Sequence, residues 1–160
     1  MTPDQIFSIA NLVAGLAWVA LAVLPRQRWV ATVVTGIVVP GLLAIVYVAI
    51  VATTFGRSEG GFSTLSAVAM LFRNPWMLLA GWVHYLAFDL LIGSWEVRDA
   101  RERGFPHLLV VPCLILTFLF GPAGWLLYMV LRSTRASQRL HSRSSTSVSL
   151  NSHGTARRSV

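Results

Sequence analysis

The chain has 160 residues, of which 55% are hydrophobic and only 12% charged, with 13 Lys+Arg against 6 Asp+Glu and a formal charge of +7. A soluble domain carries about 25% charged residues. The deficit here is concentrated in four long apolar runs, which argues against a soluble globule and for an all-α polytopic membrane protein. The basic residues are all arginine and sit at the ends of apolar runs or after the last one, as a membrane protein places them, so no nucleic-acid partner is expected. Cys113 is the sole cysteine, which excludes an internal disulfide and a cysteine metal cluster.

The first span is expected over about 3–24. Thr2, Pro3 and Gln5 form a Thr-x-x-Gln capping box with proline at the first helical position. The run lacks a basic start and a small-residue cleavage site, so it reads as a retained span. Pro25-Arg26-Gln27-Arg28 stops it, and a second span follows over about 29–54 with Pro40-Gly41 inside, where a kink is expected. Each run exceeds the ~20 residues that cross ~30 Å of hydrocarbon.

Residues 55–74 form a glycine-containing connection. Within it, Ser63 to Phe72 reads as a short apolar helix, either interfacial or re-entrant, or else a buried packing helix. Pro75 opens the third span, apolar to about residue 96. Its helical pattern continues through Arg98, Asp99, Arg101, Glu102 and Arg103 to a stop at Gly104 and Pro106. A helix of ~29 residues would measure ~43 Å and project a solvated end from the bilayer. The fourth span is expected over about 107–131, with Pro112 and Gly121-Pro122 inside it. Residues 1–132 then form one transmembrane domain of about four helices, and 133–160 a disordered Ser/Arg-rich tail. Arginine counts on the two sides nearly balance, and the tail arginines favour cytoplasmic termini of a multi-pass cell-membrane protein.

The third span carries the informative residues. His84 and Asp89 straddle its middle, where a carboxylate costs at least ~2.5–3.5 kcal/mol on insertion scales, so Asp89 is expected to face protein or water. At about 100° per residue, Tyr85, Asp89 and Glu96 share one face, and His84, Phe88 and Trp95 the adjoining one. His84 and Asp89 lie ~140° apart and are expected to flank a cavity rather than touch. Asn11, Ser8 and Thr117 are the candidate partners on neighbouring helices. His84 and Asp89 are the candidate catalytic residues. Trp82, Tyr85, Phe88, Glu96 and Asp99 are candidate substrate contacts, with Asp99 at the mouth of the site. The competing reading makes Asp89 and His84 structural ties between helices. A metal site is not expected, because the spacing is not Glu-x-x-His, and haem held between His84 and His107 is disfavoured by their different depths. The tryptophans at 18, 76, 82, 95 and 125 read first as interface anchors or packing.

Gly81-Trp82-Val83-His84-Tyr85-Leu86-Ala87-Phe88-Asp89-Leu90, then Asp99, then the run from Pro112 to Gly124 with its Phe120-Gly121-Pro122-Ala123-Gly124 block, resemble the abscisic-acid-deficient-four-like family over about residues 6–132. Plant members are plastid membrane proteins required for making neoxanthin from violaxanthin. The resemblance implies a membrane fold, matching polar residues at His84, Asp89 and Asp99, and a carotenoid or related isoprenoid ligand. No plastid transit peptide is expected, and the arginine-only, Ala/Val-rich usage resembles a bacterial member. The leading expectation is therefore a membrane protein that binds or isomerises a carotenoid or other isoprenoid. Opening an epoxide to an allene needs an acid and a base, roles that a protonated Asp89 and a neutral His84 would fill. The alternative is a non-enzymatic membrane subunit or scaffold, as a homo-oligomer or beside another membrane enzyme. A transporter is disfavoured by the absence of an internal repeat. The residues name no cofactor.

Overall fold

The computed structural model describes residues 1–24 and 27–134, so Pro25, Arg26 and the tail beyond 134 lie outside the described residues. All regular structure among the described residues is helical. The chain divides into two compact units, 1–125 and 126–160, and the described part of the second, 126–134, is helical.

Helix α1 is Pro3–Val23. The expected capping box is present: Gln5 donates its backbone N–H to Thr2 Oγ1 at 3.3 Å, and Thr2 donates its own to Gln5 Oε1 at 3.0 Å. Helix α2 is Val30–Arg57, and it approaches Pro40 as a π-helical run over Val30–Val38 before becoming an α-helix at Val39. The proline is thus accommodated by a widened turn, which shifts backbone pairing one residue along and releases carbonyls for side-chain donors. Helix α3, Leu65–Leu71, is capped by Thr64, whose hydroxyl accepts from the Ala67 N–H at 3.1 Å. Only Leu71 is fully buried in it, and Leu65 is 86% exposed, so it is not the buried packing helix that was one of its two readings.

Helix α4, Pro75–Glu102, is one unbroken element of 28 residues that ends at Gly104 (φ 68°), as the Gly-x-Pro stop implied. It is the centre of the fold. It packs against α1, α2 and α5 (His107–Phe120), and half of its apolar stretch is buried, against 28% for α1 and α2. Its far end differs from expectation. Val97, Asp99 and Ala100 are buried, as is Phe105 just beyond the helix, so the segment is packed on its inner side rather than a free solvated projection.

The second difference is in the last apolar run. It is not one helix over 107–131. It breaks at Gly121 (φ 45°), and a new helix, α6, occupies residues 122–134. The cause is local: Gly121 supplies a backbone conformation that L side chains rarely adopt, and Pro122 has no N–H to continue the ladder. At 1.5 Å per residue the 14 residues of α5 reach only ~21 Å. Among the described residues, three helices, α1, α2 and α4, are long and apolar enough to cross a membrane.

Candidate functional site

Three polar residues of α4 expected on one face do turn to one neighbour, α5 and the turn after it. The Tyr85 hydroxyl donates to the Phe118 carbonyl at 3.1 Å. Asp89 is half-buried against Gly121, where an added Cβ would lie 2.9 Å from Oδ1. Glu96 is 0% exposed, and its two oxygens lie 3.0 and 3.3 Å from the Thr117 hydroxyl, which donates to the carboxyl. These residues span i, i+4 and i+11, the spacing that keeps side chains on one stripe.

The glycines of the Phe-Gly-Pro-x-Gly block explain how a second backbone comes so close. Gly124 lies against the backbone and hydroxyl of Thr117, with no room for a Cβ. Gly121 leaves the space that Asp89 occupies. The result is a carboxyl group held at a helix break inside an apolar bundle. Its Oδ2 is buried and has no hydrogen-bond partner among the described residues. Glu96, by contrast, is satisfied.

The other candidates are dispersed. His84 is exposed, stacked on Phe88 with ring centroids 4.5 Å apart and near Tyr47 of α2 at 5.4 Å. It turns toward α2 whereas Asp89 turns toward α5, and the structure does not bring the two together. Trp82 is 40% exposed and donates its indole N–H to Asn11 Oδ1 of α1 at 2.9 Å, so the amide expected beside His84 and Asp89 meets Trp82 instead. Ser8 instead donates to the carbonyl of Asp4 in its own helix at 2.9 Å. Asp99, 8% exposed, accepts from Arg103 at 2.8 Å, one turn beyond Trp95 and Glu96.

Two of the apolar grooves along α1 meet the Trp82–Asn11 hydrogen bond, Trp82 lining one and Asn11 the other. The first, about 570 Å³, lies among Phe7, Phe72, Leu78 and Trp82. The second, about 440 Å³, lies between α1 and α5 among Asn11, Trp18, Leu114 and Phe118. Ring contacts frame both: Phe7 with Trp82 at 5.6 Å, Trp82 with Tyr85 at 5.5 Å, and Trp18 with Phe118 at 5.5 Å. Phe118 links the second groove to the Tyr85 hydroxyl through its carbonyl. Among the described residues no three His, Cys, Asp or Glu side chains converge as a metal site would need.

A second polar cluster escaped the sequence reading. Ser94 donates to Thr35 at 2.7 Å, and Thr35 donates to the Val30 carbonyl at 3.0 Å, both wholly buried. Arg98 donates to the Ala31 carbonyl at 2.9 Å, across Gly36, where a Cβ would crowd the guanidinium. These donors reach the π-helical turn. Ser94 in an apolar span was a visible hint, but nothing in residues 30–38 announces a π-helix, and Arg98 read as part of a solvated helix end.

The model of the ABA DEFICIENT 4-like family matches residues 5–128. The chain belongs to that family. The ABA DEFICIENT 4-like match covers α1 to α5 and the start of α6, and includes His84, Asp89, Asp99 and both glycines of the break. No curated protein and no solved structure matches the chain.

Proposed function

We propose that this ABA DEFICIENT 4-like protein binds a carotenoid or related isoprenoid lipid within the membrane and isomerises it. The observation that carries the reading is Asp89: a carboxyl whose Oδ2 is buried without a hydrogen-bond partner among the described residues, held against Gly121 in a bundle whose α1 side carries aromatic-lined apolar grooves. A buried polar atom without a partner is a cost to folding, and an ionisable residue inside a span is a functional candidate by default. Isoprenoids enter such a bundle from the bilayer, and the grooves give them apolar and aromatic walls.

The chemistry asks for little more than a carboxyl. When an epoxide opens to an allenic alcohol, the C–H bond on the vinyl carbon next to the epoxide breaks, its electron pair forms the new C=C bond, the adjoining C–O bond breaks, and the oxygen takes up a proton, so the formula is unchanged. A carboxyl that gives one proton to the oxygen and takes up the one leaving carbon ends as it began. His84, turned toward α2, would meet a different part of a long substrate from the part that meets Asp89. The protein would sit in the cell membrane as a multi-pass bundle with cytoplasmic termini.

A second reading, a small membrane subunit that supports another enzyme, draws on the spans' other polar groups. Glu96–Thr117 and Ser94–Thr35 are hydrogen bonds between helices, which is what structural ties require. Pigment and isoprenoid profiling of a deletion strain beside wild type tests both. An isomer pair whose ratio shifts on deletion and is restored by the wild-type gene supports the first reading. An unchanged profile overturns it.

A further inference from the structure

The isoprenoid reading leaves open what orients the ligand, and Asn11 answers that question. It lies eight residues into α1, ~12 Å from the start of that helix, and so at mid-depth of an element long enough to span. The indole N–H of Trp82 can only donate, so the amide atom it meets is the oxygen, Oδ1. Nδ2, with two N–H groups, is left without a hydrogen-bond partner among the described residues. At that depth no water substitutes, and an unmet donor in hydrocarbon is costly.

Asn11 is also the polar residue in the wall of the 440 Å³ groove between α1 and α5. That groove runs along α1 from Asn11 to Ala22, ~16 Å at 1.5 Å per residue. Gly15 keeps it open, since nothing lies within 4 Å of where its Cβ would be. Trp18 and Phe118 give it aromatic walls. We infer that the groove takes an isoprenoid chain bearing an oxygen at the end that meets Asn11, and that this oxygen accepts from Asn11 Nδ2. Bilayer phospholipids do not meet the same need, because their ester and phosphate oxygens lie at the interface while their chains at this depth carry none. Trp82 acts through Asn11: its hydrogen bond engages the amide oxygen and leaves Nδ2 as the donor this residue can offer the groove it lines. This inference rests on the proposed function and adds a recognition residue to it.

The test uses the whole protein in phospholipid nanodiscs, titrated with retinol and with axerophthene, its counterpart lacking the hydroxyl, and read by energy transfer from tryptophan. Wild type should bind retinol about tenfold more tightly than axerophthene. Asn11→Leu should remove that preference by weakening retinol alone. Trp82→Phe, which keeps the amide but frees it to turn, should bind both retinoids with a smaller preference than wild type. Equal affinity of wild type for both retinoids, or a preference unchanged in Asn11→Leu, overturns the role of Asn11 and leaves the isoprenoid reading standing. Failure of both retinoids to bind wild type overturns both.

Discussion

The Asp89 carboxyl occupies the space that a side chain on Gly121 would fill: a Cβ there would sit 2.9 Å from Oδ1 and 3.3 Å from Oδ2. One residue therefore sets both the break between α5 and α6 and the surroundings of the buried carboxyl. A side chain at 121 would have to displace the Asp89 carboxyl.

Gly121→Ala should consequently be among the more damaging small substitutions in the chain. It combines a positive φ of 45° with a steric conflict, and strain of this kind costs of order 1–3 kcal/mol. Gly41→Ala is the matched control, because nothing lies within 4 Å of its added Cβ and alanine is the better helix former. Thermal unfolding in detergent should show a clear loss for the first and none for the second. Equal behaviour would mean that the backbone at 121 is not held as described.

The Ser94–Thr35–Val30 relay should act as one unit. Ser94→Ala removes a donor to Thr35, while Thr35→Val strips both Ser94 and the Val30 carbonyl of a partner. Interhelical hydrogen bonds in membranes average ~0.6 kcal/mol and reach ~1.7. We expect the Thr35 variant to lose more than the Ser94 variant, and the double variant to lose less than their sum. Strict additivity in a double-mutant cycle would show that the two hydroxyls do not share a hydrogen bond.

Much of this fold is legible in the sequence because lipid imposes a simple rule. Long apolar runs, a capping box at Thr2 and a Gly-x-Pro stop after α4 are local signals, and the structure shows each of them. The shared orientation of Tyr85, Asp89 and Glu96 follows from helical period alone. What was not legible depends on contacts between segments. The break at Gly121 is hidden because Gly-Pro also occurs inside spanning helices, and the π-helical turn depends on donors from another helix, Arg98 most of all. Period places His84 and Asp89 ~140° apart but does not say what lies beside each, and the structure sets them against different helices.

The end of α4 offers a labelling test. Glu102 is exposed whereas Ala100 is only 2% exposed. With Cys113 replaced by alanine to remove background, a cysteine at 102 should react quickly with a membrane-impermeant thiol reagent. A cysteine at 100 should react at least tenfold more slowly. Comparable rates at the two positions would restore the picture of a free solvated helix end and remove the packing of Val97 and Phe105.

Asp89 and Glu96 are both carboxyls on the α5-facing side of α4, and their partners predict opposite behaviour. Thr117 donates to Glu96 at 3.0 Å, so Thr117→Val leaves a buried carboxyl without its donor, a change that costs about 1–3 kcal/mol. Glu96→Gln keeps an acceptor for Thr117 and should fold and function close to wild type. Asp89 Oδ2 has no such partner among the described residues, so Asp89→Asn should leave the folded yield and unfolding temperature nearly unchanged. Its effect should appear in activity instead, because the amide cannot exchange a proton with a substrate. In a deletion strain carrying each variant at equal protein level, Glu96→Gln should restore the isoprenoid profile and Asp89→Asn should not. Full restoration by Asp89→Asn would reduce Asp89 to a packing residue at the helix break, and the chemistry would then have to be sought at the grooves along α1.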